Sequence, residues 1–480
     1  MDQHSTAFKP SLRLIDATMI VAGSMIGSGI FIVSTDIVRN VGSAGWLIVV
    51  WLISGLMTVM AAVSYGEMSG MFPKAGGQYV YLKEAFNPLS GFLYGWSSFT
   101  VIQTATIAAV GVAFSRFTAY LIPEVGENVF LFSIGNFHIS EAQVLAIAMI
   151  VFLTYTNTRG INGGKIIQTS FTSVKLLSLF GLIILGFLLV KHSFWQENWQ
   201  TGFHAVQLEK SAGQFIKHGN WFPISGTVLI GAVAAAMVGS LFSSDAWNNV
   251  TFIAGEIKNP KRNIGLSLFL GTMIVSIIYI TTNLMYLNAL SLDQIAFPGG
   301  DRVAVAASNA IFGNAGAVII AVMIMVSTFG CNNGLILAGA RVYYTMANDG
   351  LFFKKAGILN KKAVPEWALW AQATVASILC LSGGYNDLLD MIAFVVVIFY
   401  VLTIIGIFVL RKRKPNIDRP YKAFGYPFLP GLYILLGLVF CVFLIIFKPL
   451  YTLWGLGIVL AGIPVYYITV HNQKKQIRIE

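Results

Sequence analysis

The chain contains 480 residues, of which 56% are hydrophobic and 11% are charged, with a mean hydropathy of +0.74 and a net charge of +11. Soluble domains carry about 25% charged residues, so this chain has too few charges to cover a water-facing surface. The composition excludes an ordinary cytosolic enzyme and a disordered protein, and it predicts a protein that crosses a membrane many times.

Twelve predominantly apolar segments have the length of a membrane-crossing helix, which takes about 17 to 25 residues. Because these runs are continuous rather than alternating, they predict an all-α membrane protein with 12 transmembrane helices. The third and eighth segments are long enough to be tilted or to extend past the membrane. In chain order, spans 1 to 12 are predicted at residues 16–39, 43–71, 88–121, 141–157, 165–190, 223–256, 263–290, 303–347, 364–382, 387–411, 427–447 and 451–470.

Basic residues in the loops predict the orientation of these spans. With a cytoplasmic N-terminus, 22 of the 31 Lys and Arg residues fall in cytoplasmic loops and termini, and six fall in the opposite loops. Cytoplasmic loops carry the excess of Lys and Arg in membrane proteins. The pattern predicts a multi-pass protein of the cell membrane with both termini in the cytoplasm. It also accounts for the basic excess without a nucleic acid partner.

Span 1 is predicted to unwind near its middle, where three glycines and two serines lie within Gly23–Gly29. Glycine costs about 1 kcal/mol in a helix interior, and serine favours caps. Unwound backbone within a membrane is tolerated where it lines a cavity or is buried in protein. Free N–H groups at the start of the outer half of the span would attract a carboxylate. The alternative is a small-residue packing face, because Gly23 and Gly27 fit that motif.

Span 5 carries a lysine far from either of its ends, Lys175, about ten residues from the predicted cytoplasmic end. An ionisable residue at this depth is costly, so a functional role is the first interpretation. Lys175 is predicted to hold span 1 to span 8, and with a lowered pKa it could also carry a proton. The alternative is a side chain that extends back to the membrane surface.

Span 6 is predicted to break within Gly239–Asp245, again near its middle. Carbonyls near Phe242 and Ser243 would face the ammonium group of a bound amino acid. Phe242 lies within the same break, where a role at the substrate and ordinary core packing are both open. Asp245 either caps the inner half of the span or faces the cavity, where it would meet a basic group.

Two broken spans, five spans apart, are typical of a secondary transporter with an inverted repeat. Five is an odd number, so the second copy enters the membrane from the opposite side. The predicted repeats cover residues 16–190 and 223–411. Residues 427–470 add two C-terminal helices, and the whole chain forms a single transporter domain.

Four ordered motifs resemble the amino acid–polyamine–organocation superfamily, which has the LeuT-type fold, and in particular its L-type amino acid transporter branch. The likeness covers roughly residues 10–420. The motifs are GSMIGSGIF at 23–31, YGEMSGMFPKAGGQYVYLKEAF at 65–86, FSSDAWN at 242–248 and GEIKNPKRN at 255–263.

This resemblance implies Na⁺-independent amino acid transport by alternating access, often as exchange. It implies that Lys175 replaces the sodium ion that related transporters bind between spans 1 and 8, where Ser327 also lies. The loop between spans 3 and 4 lacks the cysteine that tethers a heavy chain in mammalian members, so no disulfide-linked heavy chain is expected. The predicted substrate-binding residues are Gly23, Ser24, Ile26, Gly27, Ser28, Gly29, Phe242, Ser243 and Asp245.

Other functions fit the sequence less well. The six histidines lie in predicted loops or termini, and no nucleophile motif or Walker loop occurs, so an enzyme is not favoured. A channel is not favoured because the sequence shows neither a ring of pore-lining charges nor a filter repeated by symmetry. The three cysteines lie in apolar runs without ligand spacing, so no metal or cofactor is predicted. A proton-coupled symporter and an amino acid sensor on a transporter fold remain alternatives. The side-chain class of the substrate also stays open.

Overall fold

The computed structural model describes residues 10–134, 137–211, 214–217, 219–382 and 385–477. The chain is mainly helical, and a helix or a broken helix lies at each of the twelve predicted segments. Nine helices within the described ranges are long and apolar enough to cross a membrane, and two further apolar helices are shorter. The all-α membrane class is confirmed, and the total of twelve spans stays a prediction.

Spans 1 and 6 are each divided into two helices. Span 1 consists of Leu14–Met25 and Ser34–Val41, and span 6 consists of Gly226–Ser243 and the single turn Asn249–Phe252. The remaining spans, 2 to 5 and 7 to 12, are the helices Ala44–Met71, Pro88–Leu121, Glu141–Thr158, Ile161–Leu189, Pro260–Ala289, Val303–Asn348, Glu366–Ser382, Tyr385–Arg413, Phe428–Phe447 and Pro449–Ile477.

Span 8 is long because it contains two helical parts. Gly313 has a φ of 74°, which interrupts the helix between an outer part at 303–312 and the longer part that follows. Span 3 contains one wider π-turn at Ser98–Ile102. Spans 4 and 3 begin at residues that cap helices well: the Ser140 hydroxyl accepts from the N–H of Gln143, and Asn87 precedes Pro88 at the first helical position.

The loops contain three two-stranded ribbons that the sequence did not predict. One follows span 3 and pairs Phe130–Ile134 with Phe137–Ser140. The other two lie between spans 5 and 6, after the short helix Trp195–Gln200, and pair Val206–Leu208 with Trp221–Pro223 and Lys210–Ser211 with Gln214–Phe215. Short helices also lie in the loops, at Gln78–Ala85 and Leu292–Ala296.

The helices pack around the broken spans. Span 2 lies along span 7, and span 8 lies against spans 3 and 5, so the interrupted backbones of spans 1 and 6 are enclosed. The single turn Asn249–Phe252 of span 6 is held by the loop between spans 2 and 3. The N–H of Gly76 donates to the Phe252 carbonyl at 3.3 Å, and a Cβ at Gly77 would lie 2.2 Å from Thr251 Oγ1.

A buried carboxylate joins span 2 to the cytoplasmic end of span 10. Glu67 is 0% exposed and accepts hydrogen bonds from Arg411 Nη2 at 2.6 Å and from the Ala423 N–H at 2.8 Å. Arg419 Nε lies 3.4 Å from the same carboxylate. Glu84, in contrast, pairs with Lys414 at 2.7 Å near the surface, where both side chains are partly exposed. Both glutamates therefore form ion pairs.

Glu67→Gln is expected to lower the free energy of unfolding by about 3–5 kcal/mol, because it leaves Arg411 without its buried partner charge. The matched change Glu84→Gln removes an exposed pair and is expected to cost about 1 kcal/mol or less. Thermal or denaturant unfolding of both variants in the same detergent measures the difference. Equal losses in the two variants would contradict this account.

Candidate functional site

The unwound part of span 1 is present in the structure at the predicted place. The inner helix ends at Met25, a single 3₁₀ turn forms at Gly29–Phe31, and the outer helix starts at Ser34. The N–H groups of Ser28, Gly29 and Ile30 donate no hydrogen bond to any described residue. They are the free donors that open the outer half of the span.

The carbonyl groups on the inner side of this break are occupied by a fixed cation. Lys175 Nζ donates to the Gly23 carbonyl at 2.6 Å and to the Ile26 carbonyl at 2.9 Å, and Ser327 Oγ donates to the Ile26 carbonyl at 3.4 Å. A positive charge is favourable at the C-terminal end of a helix. Lys175 thus joins span 5 to span 1, while Ser327 joins span 8 to the same carbonyl.

The Lys175 ammonium lies inside the bundle, with the residue 0% exposed. This position rules out the alternative in which the side chain extends back to the membrane surface. Within the described part of the chain, the ammonium donates to carbonyl oxygens rather than to a carboxylate. The two carbonyls are therefore the polar groups that compensate the ammonium for its lost water.

Two other side chains occupy the carbonyls between Gly23 and Ile26. Cys331 Sγ lies 3.3 Å from the Ser24 carbonyl, and the Tyr279 hydroxyl donates to the Met25 carbonyl at 2.9 Å. The break therefore has unequal sides: its carbonyls are bound by side chains of the bundle, whereas its N–H groups are free. This polarity suits an anion rather than a second cation.

The break in span 6 lies later than predicted. The outer helix continues to Ser243, and the chain is non-helical at 244–248, so Gly239 and Ser240 are helical. The Ser243 hydroxyl bonds back to the Gly239 carbonyl at 2.7 Å, which accommodates a serine inside a helix. Gly239 serves close packing, since a Cβ there would lie 2.3 Å from Val33. Ala246, within the break, has a φ of 62°.

The expected free carbonyls near the end of this helix already have partners. The Phe242 carbonyl accepts from the Asp245 N–H at 3.1 Å, and the Ser243 carbonyl accepts from the Tyr279 hydroxyl at 2.9 Å. The expectation of free acceptors at Phe242 and Ser243 is therefore wrong for this conformation. Each oxygen keeps a second lone pair, which is what an ammonium group would need.

Two glycines of span 1 approach neighbouring spans closely. A Cβ on Gly29 would lie 1.9 Å from Ser243 Oγ of span 6, and a Cβ on Gly27 would lie 3.1 Å from Cys331 Sγ of span 8. Of the packing face predicted at Gly23 and Gly27, the structure thus gives a close approach at Gly27, alongside the unwinding. Close approach of the backbones of spans 1 and 6 needs Gly29 itself, while the N–H groups beside it stay without partners.

Tyr385 is a residue of this region that the sequence did not reveal. Its hydroxyl lies 3.0 Å from Ser28 Oγ, and its ring meets Phe242 edge-on with centroids 6.2 Å apart. The Arg116 guanidinium lies over the other side of the ring, 5.5 Å from the centroid. An aromatic residue at the start of a span is usual at a membrane interface, so position gives no signal for this role.

Asp245 faces two cavities and does not cap a helix. The inner turn starts at Asn249, with Asn248 at the cap position, and the Asp245 carboxylate accepts a hydrogen bond from the Tyr400 hydroxyl. One cavity of about 390 Å³ is mainly apolar and lies among spans 2, 6, 10 and 11. The other, of about 340 Å³, has walls that are about equally polar and apolar. Its hydrogen-bonding side chains are Gln78, Tyr94, Gln103, Thr106, Asp245, Asn248, Asn249 and Tyr400.

The cavities and the free N–H groups are neighbours rather than one space. Phe242 lines the apolar cavity, and its ring also touches Tyr385, which binds Ser28. Among the described residues, the walls of the two cavities include Asp245 and not Gly27, Ser28 or Gly29. Within the same part of the chain, no group of three or more His, Cys, Asp or Glu side chains is placed to hold a metal ion.

Residues 12–470 match the sequence model of the amino acid permease family. The chain belongs to that family. The permease is similar to large neutral amino acids transporter small subunit 2 of Oryctolagus cuniculus, with 28% identity over 98% of this chain and 82% of that protein. It is similar to Asc-type amino acid transporter 1 of Mus musculus, with 27% identity over 98% and 83% of the two chains.

A third relative of the permease is b(0,+)-type amino acid transporter 1 of Homo sapiens, with 27% identity over 97% of this chain and 89% of that protein. These matches confirm the resemblance that the four motifs indicated. The protein is an amino acid transporter rather than an enzyme.

In the permease, Gly29→Ala is expected to lower amino acid uptake by about tenfold or more, because the added methyl group overlaps Ser243 and forces spans 1 and 6 apart. Uptake into proteoliposomes measures the effect. Gly181→Ala in span 5 is the control, since nothing lies within 4 Å of its Cβ position. Adding Ser243→Gly to Gly29→Ala is expected to restore part of the uptake. A fully active Gly29→Ala variant would show that the close approach is not required.

Proposed function

We propose that this permease exchanges amino acids across the cell membrane by alternating access and without Na⁺. The observation that carries the proposal is the contact of Lys175 Nζ with the carbonyls of Gly23 and Ile26. A cation built into span 5 occupies the place at the break where a metal ion would otherwise compensate the carbonyls. The N–H groups on the other side of the break remain for the substrate.

The free donors of Ser28, Gly29 and Ile30 are proposed to bind the substrate carboxylate. Phe242 closes over the bound amino acid, and the second lone pairs of the Phe242 and Ser243 carbonyls accept from its ammonium group. Gly23, Ser24 and Ile26 shape the inner side of the break through their contacts with Lys175 and Cys331. Gly27 and Gly29 allow the approach of spans 8 and 6.

In this proposal, the repeat at residues 16–190 moves against the repeat at residues 223–411, so that the site opens to one side of the membrane at a time. The two C-terminal helices at 427–470 lie outside the repeats. Outward opening requires the Ser28–Tyr385 hydrogen bond to break, because it closes the outer side of span 1 against span 10. Inward opening requires the inner turn of span 6 to leave Gly76 and Arg341, whose Nε pairs with Glu256 at 2.8 Å. The excess of basic residues in alternate loops supports a cytoplasmic position for both termini.

The permease is proposed to work without a disulfide-linked heavy chain. The name of one relative describes a small subunit, which implies an assembly for that protein. In this chain Cys331, Cys380 and Cys441 are free and buried, so none is available for a disulfide to another chain.

The substrate side chain is proposed to extend toward Asp245 and the two cavities that it borders. The cavity of about 340 Å³ suits a basic or hydrogen-bonding side chain, and the mainly apolar cavity suits a large neutral one. Competition of lysine and arginine against leucine, alanine and serine for uptake decides between them. If the Asp245 carboxylate binds a basic side chain, Asp245→Asn is expected to weaken the inhibition of uptake by lysine and arginine and to leave inhibition by neutral amino acids unchanged.

A proton-coupled symporter is the second candidate. Lys175 is fully buried and bonded to the carbonyls of the break, so an ionisable group lies beside the proposed substrate site. In that case an inward proton gradient would drive uptake into vesicles that contain no amino acid.

Proteoliposomes are expected to take up labelled amino acid only when they contain unlabelled amino acid, and replacing Na⁺ with choline is expected to leave the rate unchanged. The fixed Lys175 cation is the physical reason for Na⁺ independence. Uptake into empty vesicles driven by a pH gradient would support symport and refute exchange. Binding without counterflow under either condition would instead indicate a sensor.

Lys175→Ala is expected to reduce exchange by about tenfold or more, because it leaves the carbonyls of Gly23 and Ile26 without a buried donor, at a cost of about 1–3 kcal/mol each. Lys191→Ala, which changes an exposed lysine beyond the same span, is the control. Initial rates at several pH values check both variants. Full activity with an unchanged pH profile in Lys175→Ala would remove Lys175 from the mechanism.

A further inference from the structure

The ribbon after span 3 exposes apolar side chains where a water-facing loop would be polar. Phe130 is 53% exposed, Leu131 is 63% exposed and Phe132 is 49% exposed. No Asp, Glu, Lys or Arg occurs between Glu127 and Glu141. Contiguous exposed apolar residues of this kind mark a surface that is covered by something else.

The exposed residues lie on both faces of the ribbon. The Phe130 ring packs against His138, with centroids 5.0 Å apart, while Phe132 is paired with Ile139. Because His138 and Ile139 are consecutive in a strand, their side chains point to opposite faces. Phe130 and Phe132 therefore also point to opposite faces. A folded partner resting on one face would leave the other apolar face in water.

The ribbon is tied directly to two membrane spans. Span 3 ends at Leu121, and span 4 begins at Glu141, one residue after the second strand. The Glu141 N–H donates to the Val129 carbonyl at 2.9 Å, which fixes the first strand to the start of span 4. The nearby span ends also carry exposed apolar residues, since Ile122 is 50% exposed. The ribbon thus continues the lipid-facing surface at the level where the spans leave the membrane.

We propose that residues 129–134 and 137–139 form an interfacial anchor, with Phe130, Leu131 and Phe132 inserted among the lipids of the outer leaflet. Insertion is shallow, because the two open edges of the ribbon carry backbone groups that need water or lipid headgroups as partners. Lipid covers both faces at once, which a single protein surface does not. The proposal depends on the membrane location of the chain and not on its substrate or coupling.

An ion pair connects span 3 to the segment that leads into the anchor. Arg116 Nε pairs with Glu127 at 3.0 Å, and the same guanidinium lies over the Tyr385 ring. Glu127 lies two residues before the apolar part of the ribbon. The anchor therefore holds the residues around the outer end of span 3 at a fixed depth.

The test uses the full chain in lipid nanodiscs with an environment-sensitive fluorophore on Leu131→Cys. The three native cysteines are buried, so labelling is directed to the new one. Ser211→Cys, in an exposed ribbon of another loop on the same side, is the control. Quenching is measured with lipids that carry a spin label near the headgroup and, separately, with aqueous iodide.

Lipid quenching is expected to be about threefold or more stronger at position 131 than at position 211, with iodide quenching in the reverse order. Adding Phe130→Ser and Phe132→Ser to Leu131→Cys is expected to reduce lipid quenching and raise iodide quenching. Strong iodide quenching at position 131 in the otherwise unchanged chain would overturn the proposal. Protection from both quenchers, together with cross-linking through position 131 to a second chain, would also overturn it and indicate a protein partner.

Discussion

The contact between Lys175 and the carbonyls of Gly23 and Ile26 is the constraint on which the rest of the site depends. An unwound segment inside a bundle exposes peptide groups that cost free energy unless each has a partner. The lysine supplies two donors to the carbonyl side in one side chain. With that side compensated from within the protein, the segment can stay unwound while its N–H groups remain unpaired.

Close packing then determines how the two broken spans share the centre of the bundle. Gly29 and Gly239 each take the place that a side chain would otherwise fill, against Ser243 and Val33. The Tyr279 hydroxyl lies 2.9 Å from one carbonyl of each span, at Met25 and at Ser243, and these two carbonyls share its single proton. A single hydroxyl on span 7 therefore couples the two breaks, so a change in either one alters the hydrogen bonding of the other.

The spans, the break in span 1 and the inward-facing Lys175 could be predicted because composition and local helix preferences determine them. The break in span 6 was predicted several residues before its actual position, because Gly239 and Ser240 remain helical. Gly239 is small because Val33 packs against it, and the Ser240 hydroxyl is bonded to Ser54. Tyr385 and the cavities beside Asp245 depend on contacts between distant spans, which no local pattern encodes. The ribbons were missed because a bulged strand such as Phe130–Ile134 lacks regular alternation.

The inner part of span 6 is a single turn, Asn249–Phe252, and one turn of helix is not stable by itself. Its shape is supplied by its neighbours, through the Gly76 N–H and the tight fit of Gly77 against Thr251. The turn is therefore not expected to rotate about Ala246 independently of these neighbours. The loop between spans 2 and 3 and the second part of span 6 are therefore expected to move together, so a stiffer loop would slow substrate release without contacting the substrate.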